Sequence, residues 1–462
     1  KVLKFGGSSV ATSENIKKVL NIVQNTAKNH QVAVVVSAFG KTTNALIAGA
    51  NLAAQKNEDY KAVIATLKKH HIEVIQDLIP SSEQTSVTNY IEQLFIELET
   101  LYKGCFLLNE LTSKTIATIS SFGELLSSYI IAKAAKTAYK DSRELIIASD
   151  NYLGALVNFE LTNKNIQDYF SENNDSITLL PGFVARTVNG ETTTLGRGGS
   201  DYTAAIYAAA LTADELQIWT DVSGMFTANP KLVSQAQPVE KLSYHEAMEL
   251  SHFGAKVIYP PTLQPLIEKK IPVVIKNTFD ASAKGTRIDQ DGAKHKEGAT
   301  VKGVSHIEDV ALISLEGSGM IGIPGFSKSL FECLSLKQIN IIMITQASSE
   351  HSICIGVRSE DAVPAKKAID AHFAFEISLK KVAPAKIETD MTNIAVVGDR
   401  MKDHQGISGK LFSSLGANNI NIRAIAQGAS ERNISLVIDK KNPQKALIPF
   451  HETFLKEKTA SL

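Results

Sequence analysis

Five short clusters in this chain place lysine, arginine, carboxylates and glycine at the ends of apolar runs. The first is Lys4-Phe5-Gly6-Gly7-Ser8-Ser9. A strand ending in paired glycines lets backbone N–H groups come close to phosphate oxygens. The lysine precedes the glycines, so the G-x-x-x-x-G-K-[ST] pattern is not met, and taken alone the stretch is open between a phosphate loop and a tight turn. The second cluster is Thr194-Leu195-Gly196-Arg197-Gly198-Gly199-Ser200-Asp201, followed by the helix-forming Tyr202–Ile206. Ser200 or Asp201 is expected to cap that helix, whose first N–H groups point into the loop. Arg197, flanked by glycines, is free to clamp a carboxylate or phosphate bidentately. The third, Ser121-Phe122-Gly123-Glu124, reads as the head of a helical run from Leu125 to Ala138. Glu124 then lies in a first turn, where the helix dipole favours a carboxylate, and as a ligand it would hold an ammonium group. The fourth is Trp219-Thr220-Asp221-Val222-Ser223-Gly224 with Phe226-Thr227-Ala228-Asn229-Pro230-Lys231, and the fifth is Phe253-Gly254-Ala255-Lys256-Val257.

Other chemistries find little support. The 11 histidines show no H-x-x-x-H or H-E-x-x-H spacing, and His70-His71, on diverging helix faces, reads as surface. There is no G-x-S-x-G elbow for a covalent hydrolase, and no G-x-G-x-x-G after a strand for a dinucleotide fold. What remains is an inventory for positioning and neutralising phosphates. Phosphoryl transfer asks mainly for alignment and positive charge.

The elements that must hold these clusters follow from periodicity. Val2–Phe5, Val32–Ser37, Glu144–Ala148, Ile177–Leu180 and Glu215–Trp219 read as strands, and Asn15–Lys28 and Asn44–Gln55 as helices. Short, fully apolar strands between helices imply an α/β fold with a mostly parallel sheet covered on both faces. Residues 59–103 are helical and rather polar, a helical insertion over the sheet. From Asp280 to Thr300 almost nothing is apolar, so residues 281–305 read as a linker after a first domain of 1–280. Lys+Arg and Asp+Glu both number 48, and this balance recruits neither nucleic acid nor an anionic membrane. No unbroken apolar run reaches membrane-span length and no signal-peptide pattern is seen. Cys105, Cys333 and Cys354 are scattered, which suits a reducing, cytoplasmic setting. A first residue other than Met suggests numbering from inside the natural start.

Beyond the linker the chain repeats itself. GFSKSLFECLSLKQINIIMITQASSEHSI from Gly325 aligns without a gap on GISGKLFSSLGANNINIRAIAQGASERNI from Gly406. Each copy reads strand, glycine-rich turn, helix, strand, turn, strand. Residues 306–385 and 386–462 are therefore expected to form two small α/β units related by a pseudo-two-fold.

The five clusters, in this order, resemble those of aspartate kinases of the amino-acid kinase superfamily, and the repeat resembles the pair of ACT domains such enzymes carry. The segments Ile344–Glu350 and Ile425–Glu431 are most similar to the aspartokinase half of bifunctional aspartokinase–homoserine dehydrogenases, and the chain is expected to end where the dehydrogenase would begin. The resemblance covers essentially all 462 residues. It implies the amino-acid kinase fold plus two ferredoxin-like βαββαβ ACT units. It also implies the reaction of ATP with L-aspartate to give ADP and 4-phospho-L-aspartate, the first step toward threonine, lysine and methionine.

The same resemblance assigns roles. Lys4 neutralises the transferring phosphoryl group, and Asp201 orients Lys4 and the attacking carboxylate. Glu124 holds the substrate ammonium, Arg197 clamps the α-carboxylate, and Thr43, Gly198, Gly199 and Ser200 lie beside it. Phe5, Gly6, Gly7, Ser8, Thr220, Asp221, Phe226, Lys231, Lys256 and Val257 fall where the family binds nucleotide. Mg²⁺ is expected on phosphate oxygens and waters without a dedicated protein cage. Ala228-Asn229-Pro230-Lys231 replaces the family's T-D-P-R, Phe226 replaces a tyrosine, and Tyr259 replaces the histidine before Pro260. Lysine for arginine loses a bidentate fork. For the ACT pair the resemblance implies feedback by an amino acid, threonine ahead of lysine, with Asn340, Gln346, Asn421 and Gln427 as contacts. It further implies a homodimer or homotetramer through these units, with the tail around Ala446–Phe454 completing the first. The alternatives are another amino-acid kinase, acting on glutamate, acetylglutamate or a nucleotide, and a catalytically silent amino-acid-binding regulator.

Overall fold

The computed structural model describes every residue except 253–256, 291, 293–299, 323, 347–350, 429, 431, 441–442 and 456–462. The chain divides into two compact units. The first comprises residues 1–225, 238–244 and 257–292, and the second 226–237, 245–256 and 293–462.

The first unit is built on strands β1 (Val2–Phe5), β2 (Val32–Val36), β3 (Ala138–Tyr139), β4 (Ile177–Pro181), β5 (Val184–Arg186), β6 (Thr192–Thr194), β7 (Leu216–Thr220), β8 (Lys241–Ser243), β9 (Val273–Asn277) and β10 (Thr286–Asp289). Eight of them form one sheet in the order β3-β4-β2-β1-β7-β9-β10-β8, and only the β9–β10 pair is antiparallel. β5 and β6 pair as a separate ribbon. The mostly parallel sheet expected from the apolar runs is thus present. β1 and β2 are buried along their whole length, as strands covered on both faces must be. Residues 144–148 do not form a sheet strand. A 3₁₀ turn spans Ser142–Glu144, and Ile147 and Ala148 make only isolated bridges.

Helices α1 (Ser13–Ala27), α2 (Thr42–Ala54), α3 (Tyr60–Leu78), α4 (Ser81–Leu108) and α5 (Ser113–Ala135) share one core with one face of the sheet. Leu3, Phe5, Val34 and Val36 meet Leu46, Ile64, Val74, Ile91, Phe95, Leu98 and Ile130 there, all essentially inaccessible to water. Each such side chain contributes roughly 1.5–3 kcal/mol of transfer free energy. Helices α6 (Phe159–Glu172), α7 (Gly199–Ala210) and α9 (Gln264–Lys269) complete this unit. α8 (Tyr244–His252) begins in it and runs on into the second.

Three local expectations change. α5 begins at Ser113, capped by Thr112, whose side chain accepts from the Thr115 N–H. Glu124 is therefore mid-helix, and the dipole argument for it does not apply. The serine that reads as the helix start turns back onto the preceding turn instead: Ser121 donates to the Thr118 carbonyl, as Ser127 and Ser128 do to that of Glu124. By length and composition α5 could cross a membrane, although no unbroken apolar run flagged it, and most of its apolar window is buried within the protein. His71 is fully buried, not on the surface.

The second unit contains one six-stranded antiparallel sheet. Its strands are β11 (Gly303–Glu316), β12 (Met343–Gln346), β13 (Ser352–Arg358), β14 (Lys386–Val397), β15 (Ile422–Gln427) and β16 (Asn433–Asp439), in the order β12-β13-β11-β14-β16-β15. Helices α10 (Phe326–Ser335), α11 (Ala362–His372) and α12 (Ala374–Ser378) belong to the first repeat, α13 (Ile407–Ala417) and α14 (Pro443–Leu455) to the second. The repeats interleave through β11 and β14, and the register of this pair shifts at Ile307/Val310. Asp309 and Asp390 have positive φ there. Val310–Glu316 serves the first repeat, while Gly303–Ile307 pairs with Asn393–Val397 as the fourth strand of the second. The tail makes no such exchange: Ala446, Leu447 and Phe450 of α14 pack in the second repeat's own core. The stretch read as a linker is also partly strand, with Thr286–Asp289 in the first sheet and β11 starting at Gly303.

Candidate active site

The carboxyl ends of β1, β2 and β7 are adjacent in the middle of the first sheet, where parallel α/β sheets present ligand sites. Phe5 and Lys4 leave β1 on opposite faces. The Phe5 ring stacks on Trp219 in the core, so only its backbone is available to a nucleotide. Lys4 turns to the face that carries α7, where its Nζ lies 2.6 Å from Asp201 Oδ1 in a nearly buried ion pair. Asp201 is in the first turn of α7, and the helix is capped by Gly198, not by Ser200 or Asp201. The carboxylate expected to cap is instead committed to Lys4.

Gly6 and Gly7 follow at once. The Gly6 N–H donates to the Trp219 carbonyl, and a methyl group on Gly6 would lie 3.5 Å from Lys4 Nζ. On Gly7 it would come within 2.9 Å of the Gly40 carbonyl oxygen and 3.1 Å of that of Ala38. Only glycine admits this approach. The loop is tied further by the Gly40 N–H to the Gly7 carbonyl and by Ser9 Oγ to Thr278 Oγ1 at 2.7 Å. Ser8 is exposed beside it. Thr220 ends the neighbouring β7, and its hydroxyl donates to Oδ1 of the following Asp221 at 3.1 Å.

Glu124 is fully buried and its Oε2 has no hydrogen-bond partner. Burial pushes its carboxyl up to about 8, opposed by the Ala38 N–H, its own N–H and the charge on Lys4. Thr43 lies alongside: a methyl on the adjacent Gly123 would be 3.1 Å from Thr43 Oγ1 and 2.9 Å from Ala38 Cβ. Arg197 is exposed and has no ion-pair partner among the described residues. Its loop is held from beneath. Gly198 has φ +68° and packs so closely under Tyr259 that a methyl there would sit 2.4 Å from the tyrosine Cβ. Gly199 and Gly182 admit Phe183 and Ser200 at similarly short range.

The first unit therefore brings together Lys4, Gly6, Gly7, Glu124, Thr43, Asp201, Thr220 and the Arg197–Ser200 loop. Phe226 and Lys231 lie in the second unit, where the Lys231 N–H closes a turn onto Asn229 Oδ1. Lys256 lies outside the described residues, and its neighbour Val257 is half-buried in the first unit. Sequence reasoning missed the Ala38–Gly40 loop and the Tyr259 contact. Gly40, ahead of Lys41-Thr42-Thr43, was the available signal for the loop; no local pattern marks Tyr259.

In the second unit the repeat yields two matching cavities. Met320, Gly325, Phe326, Ser327, Lys328, Gln346 and Ile353 line one of about 280 Å³. Met401, His404, Gly406, Ile407, Ser408, Gly409, Gln427 and Ile434 line one of about 130 Å³. Gln346 and Gln427 occupy equivalent places in them. Asn340 and Asn421 are exposed and line neither.

The first unit is a mostly parallel α/β sheet with a lysine-first glycine loop and a buried ion pair, and the second is a repeat of ferredoxin-like units. The amino acid kinase family profile matches residues 1–277, and the ACT domain profile matches 313–373 and 394–454. The chain belongs to the amino acid kinase family and carries two ACT domains. It is 36% identical over 466 residues to the bifunctional aspartokinase/homoserine dehydrogenase of Haemophilus influenzae, an alignment covering 99% of this chain and 57% of that one. The chain spans about half the length of the curated relatives it matches. Among solved structures it superposes on E. coli aspartokinase III with aspartate and ADP (R-state) with a TM-score of 0.83 and 25% identity, covering 98% of this chain and 99% of that one. The lysine and aspartate complex of the same enzyme (T-state) gives 0.77 and 26%, with the same coverage.

Proposed function

We propose that this chain is an aspartate kinase, transferring the γ-phosphoryl group of ATP to the β-carboxylate of L-aspartate. The observation that carries this is the buried Lys4–Asp201 pair beside the buried Glu124 carboxylate, whose Oε2 has no hydrogen-bond partner, one place for a phosphoryl group and one for an ammonium. A β-carboxylate oxygen attacks the γ-phosphorus, the bond to the bridging oxygen breaks, and ADP leaves with the electron pair. No base is required, because the attacking carboxylate is ionised at neutral pH. Lys4 neutralises charge on the phosphoryl oxygens, Asp201 holds Lys4 in place, and Gly6 and Gly7 admit the phosphates to the backbone. Arg197 reaches the α-carboxylate, and Thr43 and Ser200 bound the same end. Among the described residues no three His, Cys, Asp or Glu side chains converge as a metal cage. A Mg²⁺ brought by the nucleotide's own phosphates would supply charge neutralisation there.

The relatives' names and the aspartate and ADP bound in the aspartokinase III structure support the choice of substrates. The lysine complex supports an amino-acid effector, which we place in the ACT cavities, threonine ahead of lysine. Assembly as a homodimer or homotetramer through the ACT domains and a cytoplasmic location complete the reading. A silent regulator would have no use for the Lys4–Asp201 pair.

A coupled ADP-release assay with aspartate, glutamate and acetylglutamate tests this directly. Turnover with aspartate alone is expected. ADP release that ignores aspartate would sink the proposal, and so would a Lys4→Ala variant that keeps its kcat instead of losing about 10²–10³-fold.

A further inference from the structure

The helical insertion contributes more than cover for the sheet. Phe39 leaves the 38–43 loop and is buried among its helices, its ring stacked on His71 (centroids 5.1 Å apart, 29° between planes) and edge-on to His70. His71 is held in turn. Its Nδ1 donates to the Leu67 carbonyl at 2.7 Å, and its ring meets Phe95 edge-on at 5.6 Å. The remaining ring nitrogen, Nε2, is buried without a partner, so the imidazole serves here as a flat, neutral ring.

The loop that Phe39 anchors touches three parts of the site. Ala38 donates its N–H to the Glu124 carboxylate, and the carbonyls of Ala38 and Gly40 crowd Gly7. The Phe39 carbonyl accepts from both the N–H and the hydroxyl of Thr42, which starts α2 and thereby places Thr43. One aromatic side chain thus fixes an ammonium-site donor, the wall of the glycine loop and a substrate hydroxyl together.

We propose that His71 of the insertion is a positioning residue for substrate, acting through Phe39 on the Ala38–Thr43 loop. This rests on the aspartate kinase reading, and wild-type turnover with aspartate settles that first. Given that turnover, His71→Ala should raise the KM for aspartate at least tenfold and leave the KM for ATP within about twofold. His71→Phe, which keeps a ring against Phe39, should return the aspartate KM to within about threefold of wild type. Hydrogen exchange over residues 37–43 should speed up in His71→Ala and not in His71→Phe. A His71→Ala enzyme that melts earlier yet keeps its aspartate KM would overturn the proposal, as would equal changes in both KM values. If His71→Ala fails to fold, Phe39→Leu replaces it with the same expected split, and an unchanged aspartate KM there overturns the proposal equally.

Discussion

At the scale of single residues, the site stores its readiness in Glu124. Its carboxyl is buried, its pKa is raised, and its Oε2 has no hydrogen-bond partner. The sign of the resulting pH dependence follows. The unfolded chain releases this proton near 4.5, while the folded chain keeps it to about 8. Between those values the native state binds more protons, so unliganded stability falls as pH rises. His71 works in the opposite sense at lower pH. Its pKa, pressed down by burial to about 4 from 6.5, costs stability as pH falls through that window. The window from 6.5 to 8 lies above the His71 range, and Glu124→Gln separates Glu124 from the Lys1 α-amino group, which burial lowers from 8.0. Across it the wild-type Tm should decline, and that of Glu124→Gln should decline less. Aspartate binding at pH 7 should also release a proton from Glu124 as the incoming ammonium ionises it. Calorimetry in two buffers of different ionisation enthalpy reads that release directly. Binding with no proton exchange would contradict the assigned partner.

At the scale of elements, the loop before α7 shows how backbone geometry serves the chemistry. Gly198 occupies the left-handed region at the helix N-cap and lies directly under Tyr259. Alanine there meets two penalties, the conformational one of about 1 kcal/mol and a steric one that the ring must yield to. Arg197 rides on this loop. Gly198→Ala should therefore raise the KM for aspartate more than tenfold with a smaller change for ATP, by steady-state kinetics. Pairing it with Tyr259→Gly should recover part of the loss, because the Cβ and ring carbons that crowd it are removed while the φ penalty stays. Equal loss in single and double variants would mean that Tyr259 does not bear on the loop. The sequence announced this element through its glycine density but misread its cap, since Asp201 was claimed by a lysine nearly 200 positions away. A local ambiguity hid the start of α5. Serines at 120, 121, 127 and 128 look like helix breakers until their hydroxyls turn back onto the preceding carbonyls.

At the scale of the whole molecule, apolar runs and the repeat made the parallel sheet and the two ferredoxin-like units legible, because each follows from periodicity within one segment. The exchange of Gly303–Ile307 into the second repeat was not, since it depends on pairing between strands far apart in the chain. Internal repetition also carries a regulatory consequence. The two cavities share a glutamine, a serine and a glycine at matched places, but the first has about twice the volume and carries Phe326 and Lys328 where the second has Ile407 and Gly409. Among the described lining residues, the first cavity includes a lysine and the second does not. Duplication has thus left two cavities of unequal volume and lining. If feedback works through these sites, Gln346→Ala should raise the threonine concentration for half-inhibition at least tenfold, within the range of ordinary allosteric coupling. Gln427→Ala should move it less than about threefold, and Lys328→Met should fall on the side of Gln346→Ala. Basal turnover should be unchanged in all three, since none belongs to the active site. Inhibition curves with threonine and then with lysine decide the matter: equal shifts from the two glutamine variants would show the cavities acting as equals, and a larger shift from Gln427→Ala would assign control to the smaller one.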